Sequence, residues 1–183
     1  MSGMIEFLCG DITELEVDAI VCPAHKYLSK GRGLSAQIFE QAGEEALEAA
    51  CSQAGGCKVG GACLTPGFKL PAKHIIHTVT PQWTGGDQWG GSDLHLLANC
   101  YDSVVRLALE QGVKTIAFPA LGAGTNKTPQ SMAAHEGLEV LVKYADSFER
   151  LIICLHWEAG LDTWRRTYED FFARRVEQSR KTG

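Results

Sequence analysis

The sequence contains no long apolar run. Its longest apolar stretches, such as AIVC at 19–22 and LIICL at 151–155, have the length of a β-strand. They fall far short of the roughly 20 residues that a membrane-spanning helix needs. The N-terminal MSGMIEFLCGD has no basic segment ahead of its short apolar run, so we expect neither a signal peptide nor a membrane partner. We therefore expect a cytoplasmic protein.

Basic residues are outnumbered by acidic ones. The chain has 17 Lys and Arg against 22 Asp and Glu, a formal net charge of −5 with histidine neutral. Binding to the phosphates of a polymeric nucleic acid requires a basic face, and the dense basic cluster between Arg165 and Lys181 falls in one predicted terminal helix. We therefore expect no polymeric nucleic acid among the partners.

No Cys-x-x-Cys pair occurs among the seven cysteines. Cys51, Cys57 and Cys63 are spaced six residues apart, and the nearby His74 and His77 are three apart on a predicted strand, which directs them to opposite faces. This spacing does not fit a structural zinc site, and we expect neither a metal nor a cofactor. The mostly apolar surroundings of the cysteines instead indicate buried, reduced thiols.

The pattern of apolar residues predicts alternating strands and helices. Short β-branched runs predict strands at Ile5–Cys9, Ala19–Val21, Ala62–Leu64, Ile75–Thr80, Thr115–Phe118 and Leu151–Leu155. Helical periodicity predicts helices at Leu34–Ala42, Glu44–Ala54, Asp93–Gln111, Pro129–Tyr144 and Leu161–Glu177, with Ser92 and Thr128 as N-caps of the third and fourth. Strands alternating with helices of this length form a sheet covered on both faces. The predicted fold class is α/β: a three-layer α/β/α sandwich around a mixed, largely parallel six-strand sheet.

The length and composition suit one domain. The 183 residues, 45% of them hydrophobic, suffice for a continuous core. We expect a single domain over 1–177 and a frayed tail over 178–183. Within the domain, WTGGDQWGG at 83–91 predicts a surface loop that Trp83 and Trp89 hold against the body, with a ligand contact as the alternative.

Two glycine-containing segments each link a predicted strand to a predicted helix. The first, CPAHKYLSKGRGLSA, follows the strand at 19–21, and the second, PALGAGTNKTP, follows the strand at 115–118. In an open parallel sheet, ligands bind beyond the carboxyl ends of the strands. Gly31, Gly33, Gly122 and Gly124 let the backbone approach a ligand closely, and free N–H groups at a helix start suit a phosphate. Together the loops predict a cradle for a diphosphate, although each alone is also typical of a flexible turn.

The segment GRGLSA fits a loose form of the dinucleotide-binding fingerprint. It lies well beyond its strand, however, and the chain reads AACSQ where that fingerprint requires an acidic residue for a ribose hydroxyl. These departures argue against a dehydrogenase.

Several motifs resemble the macro domain family, the ADP-ribose-binding α/β/α module. They are GDIT at 10–13, VDAIV at 17–21, GRGLSAQI at 31–38, GGACLTPGFKLPAKHIIHTVTP at 60–81 and IAFPALGAG at 116–124. The resemblance covers nearly the whole chain, and LPAKHIIHTVTP followed by FPALGAG is a specific signature. It implies the same fold and a domain of the ADP-ribose-binding, Appr-1''-p processing type.

The resemblance also implies roles for individual residues. It implies that Asp11 accepts a hydrogen bond from the adenine amino group beside the Ile12 N–H, with a turn or cap role as the alternative for Asp11. Trp157 is expected either to stack on adenine or to pack in the core. The other implied ligand contacts are Cys22, Gly33, Leu34, Gly122, Ala123, Gly124, Thr125 and Asn126.

Two positions depart from the hydrolytic members of that family. Their usual Asn-Ala-Ala-Asn is Cys22-Pro23-Ala24-His25 here, and the aspartate that often follows the glycine loop is Ser35. The aromatic residue that often closes the second loop over the distal ribose is also missing. If the chain is an enzyme, the candidate catalytic residues are His25, as a general base, and Ser35.

Three functions follow from this comparison. The retained diphosphate cradle favours a binding module for ADP-ribose, free or attached to protein. The alternative is a hydrolase that acts on ADP-ribosylated protein or on O-acetyl-ADP-ribose with a non-standard distal-ribose site. The third is binding of a related nucleotide, because the altered positions lie where ligands would differ.

Overall fold

The computed structural model describes residues 4–82, 92–124 and 127–182. In that part of the chain, six strands form one sheet: β1 (Ile5–Cys9), β2 (Ala19–Ala24), β3 (Ala62–Pro66), β4 (His74–Val79), β5 (Thr115–Phe118) and β6 (Arg150–Leu155). Each coincides with a predicted strand, with differences only at the ends.

The strand order across the sheet is β1-β6-β5-β2-β4-β3. Neighbouring strands run parallel except at one edge, where β3 is antiparallel to β4. Parallel strands end at the same edge of a sheet, so the segments that follow β1, β2, β4, β5 and β6 meet there. This arrangement confirms the mixed, largely parallel sheet.

Helices cover both faces of the sheet. They are α1 (Leu34–Ala42), α2 (Glu44–Ala54), α3 (Ser92–Glu110), α4 (Gln130–Tyr144), α5 (Glu158–Phe171) and α6 (Ala173–Thr182). In β5, Ile116 and Phe118 join an apolar cluster with α3, α4 and α5, whereas Ala117 joins a second cluster with α1 and α2. Side chains alternate between the faces of a strand, so each cluster is one interface between sheet and helices. The three-layer α/β/α sandwich is confirmed.

The last predicted helix, Leu161–Glu177, is two helices in the structure. α5 ends at Phe171 because Phe172 leaves the helical path, with φ −120° and ψ −30°. The buried Phe172 ring lies 5.3 Å from the ring of His135 in α4, centroid to centroid. Helical periodicity alone does not reveal a one-residue break of this kind, because the break goes together with the packing of Phe172 against α4. α6 then continues to Thr182, where the sequence predicts a frayed tail.

The starts of two helices also differ from prediction. Ser92 is the first residue of α3 and not its N-cap. Pro129, with φ −54° and ψ 138°, is the N-cap of α4. Thr128 lies two residues before the first residue of α4, and its N–H donates to the carbonyl of Gly122 at 2.8 Å. Thr128 therefore closes the second glycine loop and does not cap α4.

Two further predictions concern the surface of the domain. The loop predicted at 83–91, with Trp83 and Trp89, lies outside the described residues. Within the described ranges, no helix is long and apolar enough to cross a membrane.

Candidate ligand-binding site

A cavity of about 480 Å³ opens at the edge where the five parallel strands end. Most of its wall comes from residues 10–12 after β1, 32–34 at the start of α1, 119–124 except Leu121 after β5, and 154–157 at the end of β6. Both predicted glycine loops therefore face one cavity, in the position that open parallel sheets offer to ligands.

The first glycine loop brings the start of α1 to the cavity. Gly33 is the N-cap, with φ 57° and ψ −126°, a conformation that is essentially restricted to glycine. Gly33 has no side chain to cap the helix, and the first turn of α1 holds no acidic residue. The first N–H groups of a helix lack partners within it and carry partial positive charge. Gly33 and Leu34 thus place the N-terminus of α1 at the cavity, where it can bind an anion.

The second glycine loop follows β5 and leads to α4. Gly122 has φ 82°, and a Cβ atom there would lie 3.0 Å from Leu97 Cδ1 and 3.2 Å from Thr128 Oγ1. Two backbone hydrogen bonds close the loop. The carbonyl of Gly122 accepts from the Thr128 N–H at 2.8 Å, and the carbonyl of Gly124 accepts from the Lys127 N–H at 3.0 Å. Gly122, Ala123 and Gly124 line the cavity. The predicted contacts Thr125 and Asn126 lie outside the described residues.

Asp11 lies on the cavity wall directly after β1. Its carboxylate caps the 3-10 turn Ile12–Glu14, since Oδ1 accepts bonds from the backbone N–H of Thr13 at 2.9 Å and from the Thr13 hydroxyl at 2.6 Å. The amide of Gln37 in α1 donates to both carboxylate oxygens, each at 3.1 Å. Asp11 is therefore a cap residue and also presents a carboxylate at the cavity. Ile12 lines the cavity beside it.

Trp157 forms another part of the wall, at the start of α5. Trp157 is 47% exposed and lies outside both apolar clusters, so it does not pack in the core. A Cβ atom at Gly160 would lie 2.7 Å from Trp157 Cε2. The missing side chain of Gly160 therefore makes room for the indole, which presents an aromatic surface to the cavity.

The cavity has few ionisable groups, and they lie on different segments. Arg32 lines it next to Gly33, and Asp11 lies at the end of β1. Cys154 also contributes to the wall, but burial raises the pKa of its thiol to about 11. The Cys154 thiol is therefore neutral at physiological pH. Among the described residues, the cavity combines the Arg32 guanidinium, the Asp11 carboxylate and the His156 imidazole with a mostly apolar surface.

His25 does not line the cavity. Its Nδ1 accepts a hydrogen bond from the Tyr27 N–H at 3.3 Å, and its Nε2 lies 2.8 Å from the Ser29 hydroxyl. In the neutral imidazole, a ring whose Nδ1 accepts carries its proton on Nε2, so Nε2 donates to Ser29. Through these two contacts, both ring nitrogens stabilise the loop between β2 and α1, and neither presents a free lone pair to the cavity.

Ser35 and Cys22 also lie outside the cavity lining. Ser35 is buried, and its hydroxyl accepts a bond from the Gly31 N–H at 3.3 Å. Cys22 is fully buried in β2, and burial raises its pKa to about 12 although a hydrogen bond with Ser35 lowers it. The structure therefore brings Ser35 and Cys22 together beneath the loop, with neither side chain on the wall of the cavity.

Sequence reasoning missed several residues of the cavity. Arg32 and Gln37 belong to the first loop and α1, and Gln130 belongs to the start of α4. Gln37 follows Gly33 by one helical turn, so the 3.6-residue period could have indicated that it shares the face of Gly33. The Gln130 oxygen accepts from the indole N–H of Trp164 at 3.2 Å, a contact that depends on tertiary packing. Within the described residues, no group of three His, Cys, Asp or Glu side chains could hold a metal ion.

The fold and this cavity define an α/β/α domain with a ligand site at the carboxyl ends of its parallel strands. The family model described as Macro domain matches residues 21–136. A macro domain-containing protein of Mesorhizobium japonicum is 48% identical over 68% of this chain and 68% of its own length. The chain belongs to the macro domain family.

Two further similarities concern function. The ADP-ribose glycohydrolase MACROD2 of Xenopus laevis is 39% identical over 92% of this chain, which spans only 40% of that relative's length. A Trypanosoma brucei macrodomain solved in complex with ADP-ribose has a TM-score of 0.79 at 28% identity, over 88% of this chain and 68% of that one. The glycohydrolase activity and the bound ADP-ribose are properties of those relatives.

Proposed function

We propose that this domain binds ADP-ribose, either free or attached to protein. The observation that carries the proposal is the convergence of both glycine loops, Asp11 and Trp157 on one cavity. Its volume of about 480 Å³ is within the usual range of small-molecule sites. The Trypanosoma brucei macrodomain solved with ADP-ribose supports the choice of ligand.

Each part of the cavity suits one part of this ligand. Asp11 accepts from the adenine amino group, with Ile12 beside it, and the Trp157 indole stacks on the adenine ring. Gly33 and Leu34 contact the diphosphate from the first loop, and Gly122, Ala123 and Gly124 contact it from the second, which continues through Thr125 and Asn126. Backbone N–H groups and helix starts can offset the diphosphate charge, so binding needs no metal. The fully buried Cys22 is not part of this arrangement.

Calorimetry with ADP-ribose in the presence of a chelator tests this proposal. Asp11→Ala is expected to weaken binding about ten- to hundredfold, because it removes a charged acceptor from a partly desolvated site. Asp170→Ala, an exposed position far along α5, is the matched control and should keep wild-type affinity. Unchanged affinity in a folded Asp11→Ala protein would mean that adenine is recognised elsewhere, and a requirement for magnesium would contradict metal-free binding.

Hydrolysis is the second candidate, and the similarity to ADP-ribose glycohydrolase MACROD2 is what favours it. The substrates would be ADP-ribosylated protein or O-acetyl-ADP-ribose, with water attacking near the distal ribose. A catalytic His25 would first have to release the Tyr27 N–H, and Ser35 would have to leave its contact with Gly31. These contacts favour the binding module.

A pH–rate profile separates the two candidates. A general base must be neutral, so a rate that depends on His25 should rise with pH and level off, and His25→Ala should abolish it while ADP-ribose affinity remains. No turnover of either substrate class alongside normal affinity would leave the binding module. Turnover that persists in His25→Ala would place catalysis on other residues.

The proposal also bears on the partners of the protein and on its cellular compartment. ADP-ribosylated proteins are the partner class, and Appr-1''-p or a related nucleotide would enter the same cavity. The seven cysteines are all free thiols, which supports a reducing compartment such as the cytoplasm. The excess of acidic residues supports a small-molecule or protein-attached ligand and not a polymeric nucleic acid.

A further inference from the structure

Gln37 and Asp11 are 26 residues apart in the chain but meet at the wall of the cavity. Nε2 of Gln37 lies 3.1 Å from each oxygen of the Asp11 carboxylate. An ionised carboxylate only accepts hydrogen bonds, so the amide nitrogen of Gln37 and not its oxygen faces the acid. The side chain of Gln37 in α1 therefore donates to the Asp11 carboxylate.

Thr13 holds one oxygen of the same carboxylate. Its N–H and its hydroxyl both donate to Oδ1, at 2.9 and 2.6 Å. Together with Gln37, the described residues give Oδ1 three donor contacts and Oδ2 one. A carboxylate offers about four acceptor positions, two on each oxygen, so the remaining capacity lies on Oδ2. Thr13 anchors Oδ1, whereas the bond from Gln37 reaches both oxygens and so restrains rotation about the Cβ–Cγ bond.

Gln37 restrains the acid without neutralising it. An amide has no net charge, whereas an arginine or lysine at this position would form an ion pair and compete with a ligand's donor. Oδ2 therefore keeps its negative charge for an N–H group of the ligand. The same charge repels a carbonyl oxygen placed there.

Gln37 also connects two parts of the ligand site. Its backbone N–H donates to the carbonyl of Gly33 at 3.1 Å and closes the first turn of α1. The backbone that faces the cavity at Gly33 and the side chain that restrains Asp11 thus belong to one helical turn. Any shift of α1 changes both together.

We propose that Gln37 is a positioning residue that aims Oδ2 of Asp11 at the exocyclic amino group of adenine. In this role it sets a preference for 6-amino purines over 6-oxo purines, and it acts through Asp11 without contacting the base. The inference rests on the proposed function, in which Asp11 recognises adenine.

Calorimetry with ADP and inosine 5'-diphosphate tests the role of Gln37. The two ligands share ribose and diphosphate, but the second has a carbonyl oxygen in place of the 6-amino group. The wild-type protein should prefer ADP. Gln37→Leu keeps the approximate size of the side chain but cannot donate, and it should reduce the ratio of the two affinities about tenfold, as expected for a hydrogen bond to a charged group. Gln41→Leu, the same change at an exposed position of α1, should keep the wild-type ratio.

The outcomes separate this inference from the function on which it rests. A folded Gln37→Leu protein that keeps the wild-type ratio overturns the inference and leaves ADP-ribose binding in place. Equal wild-type affinity for the two diphosphates also overturns it, whereas a wild-type protein that binds neither ADP nor ADP-ribose overturns the proposed function. If Gln37→Leu does not fold, Gln37→Glu replaces it: repulsion between two carboxylates displaces Asp11, and the ratio should again fall.

Discussion

Arg32 and Lys30 are two cations of the same loop with different surroundings. Lys30 is held away from the cavity by Glu40 and Glu44, with N–O distances of 3.0 and 3.3 Å. Arg32 lines the cavity beside Gly33, and no ion pair of the described residues involves it. Its guanidinium is therefore available to a phosphate of the ligand.

Arg32→Ala should weaken ADP-ribose binding about fivefold at low salt, because an exposed guanidinium contributes a modest, screened attraction to a diphosphate. The effect should shrink as sodium chloride is raised. Lys30→Ala removes the same formal charge and should change the affinity little, which calorimetry at two salt concentrations can measure. Equal losses in both variants would mean that only net charge matters and that Arg32 makes no specific contact.

The second glycine loop depends on backbone geometry at one of its glycines. Gly122 has a positive φ, and a Cβ atom there would lie close to Leu97 and Thr128. A Cβ atom at Gly124 would meet no atom of the described residues within 4 Å. The two positions therefore form a matched pair for the same substitution.

Gly122→Ala should lower the free energy of unfolding by about 1–3 kcal/mol, the cost of forcing a side chain into a left-handed conformation with close contacts. Gly124→Ala should stay near the wild-type stability. Thermal or urea unfolding of the two variants measures the difference. Similar stability in both would show that the loop relaxes at Gly122 without cost.

Stability of the whole domain should depend on pH through a buried histidine. His77 of β4 is fully buried, its Nε2 lies 2.9 Å from the Thr65 hydroxyl, and its Nδ1 has no hydrogen-bond partner in the part of the chain that the structure describes. Burial lowers the pKa of His77 from 6.5 to about 4. Above pH 6.5 the ring is neutral in both the folded and the unfolded chain. Below that pH the unfolded chain takes up a proton that the folded chain does not, so stability falls as the pH is lowered.

Between pH 7 and pH 4, this proton uptake should cost about 3 kcal/mol of unfolding free energy. His77→Gln should flatten the pH dependence over that range, measured by urea unfolding at several pH values. His95→Gln, at an exposed position of α3, should keep the wild-type slope. A slope that is unchanged in a folded His77→Gln protein would place the titration on other groups.

Much of the architecture follows from local sequence signals. The bounds of β1, β5, α1 and α2 agree with those that the apolar pattern predicts, because burial period and turn residues are properties of short segments. The two glycine loops were also predictable, since a strand, a glycine-containing loop and a helix follow one another in the chain. The parallel sheet then requires both loops to lie at the same edge.

Tertiary structure alone decided which side chains reach the cavity. Motif position associates His25 and Ser35 with the ligand. Yet hydrogen bonds with Tyr27 and Ser29 hold His25 in the loop between β2 and α1, and the buried Ser35 accepts from the Gly31 N–H in the first turn of α1. The pairing of Gln37 with Asp11 depends on how α1 packs against the end of β1. A local sequence pattern indicates backbone conformation and burial. It does not indicate the distance between residues that are remote in the chain. Packing of the helices on the sheet determines that distance and, with it, the composition of the site.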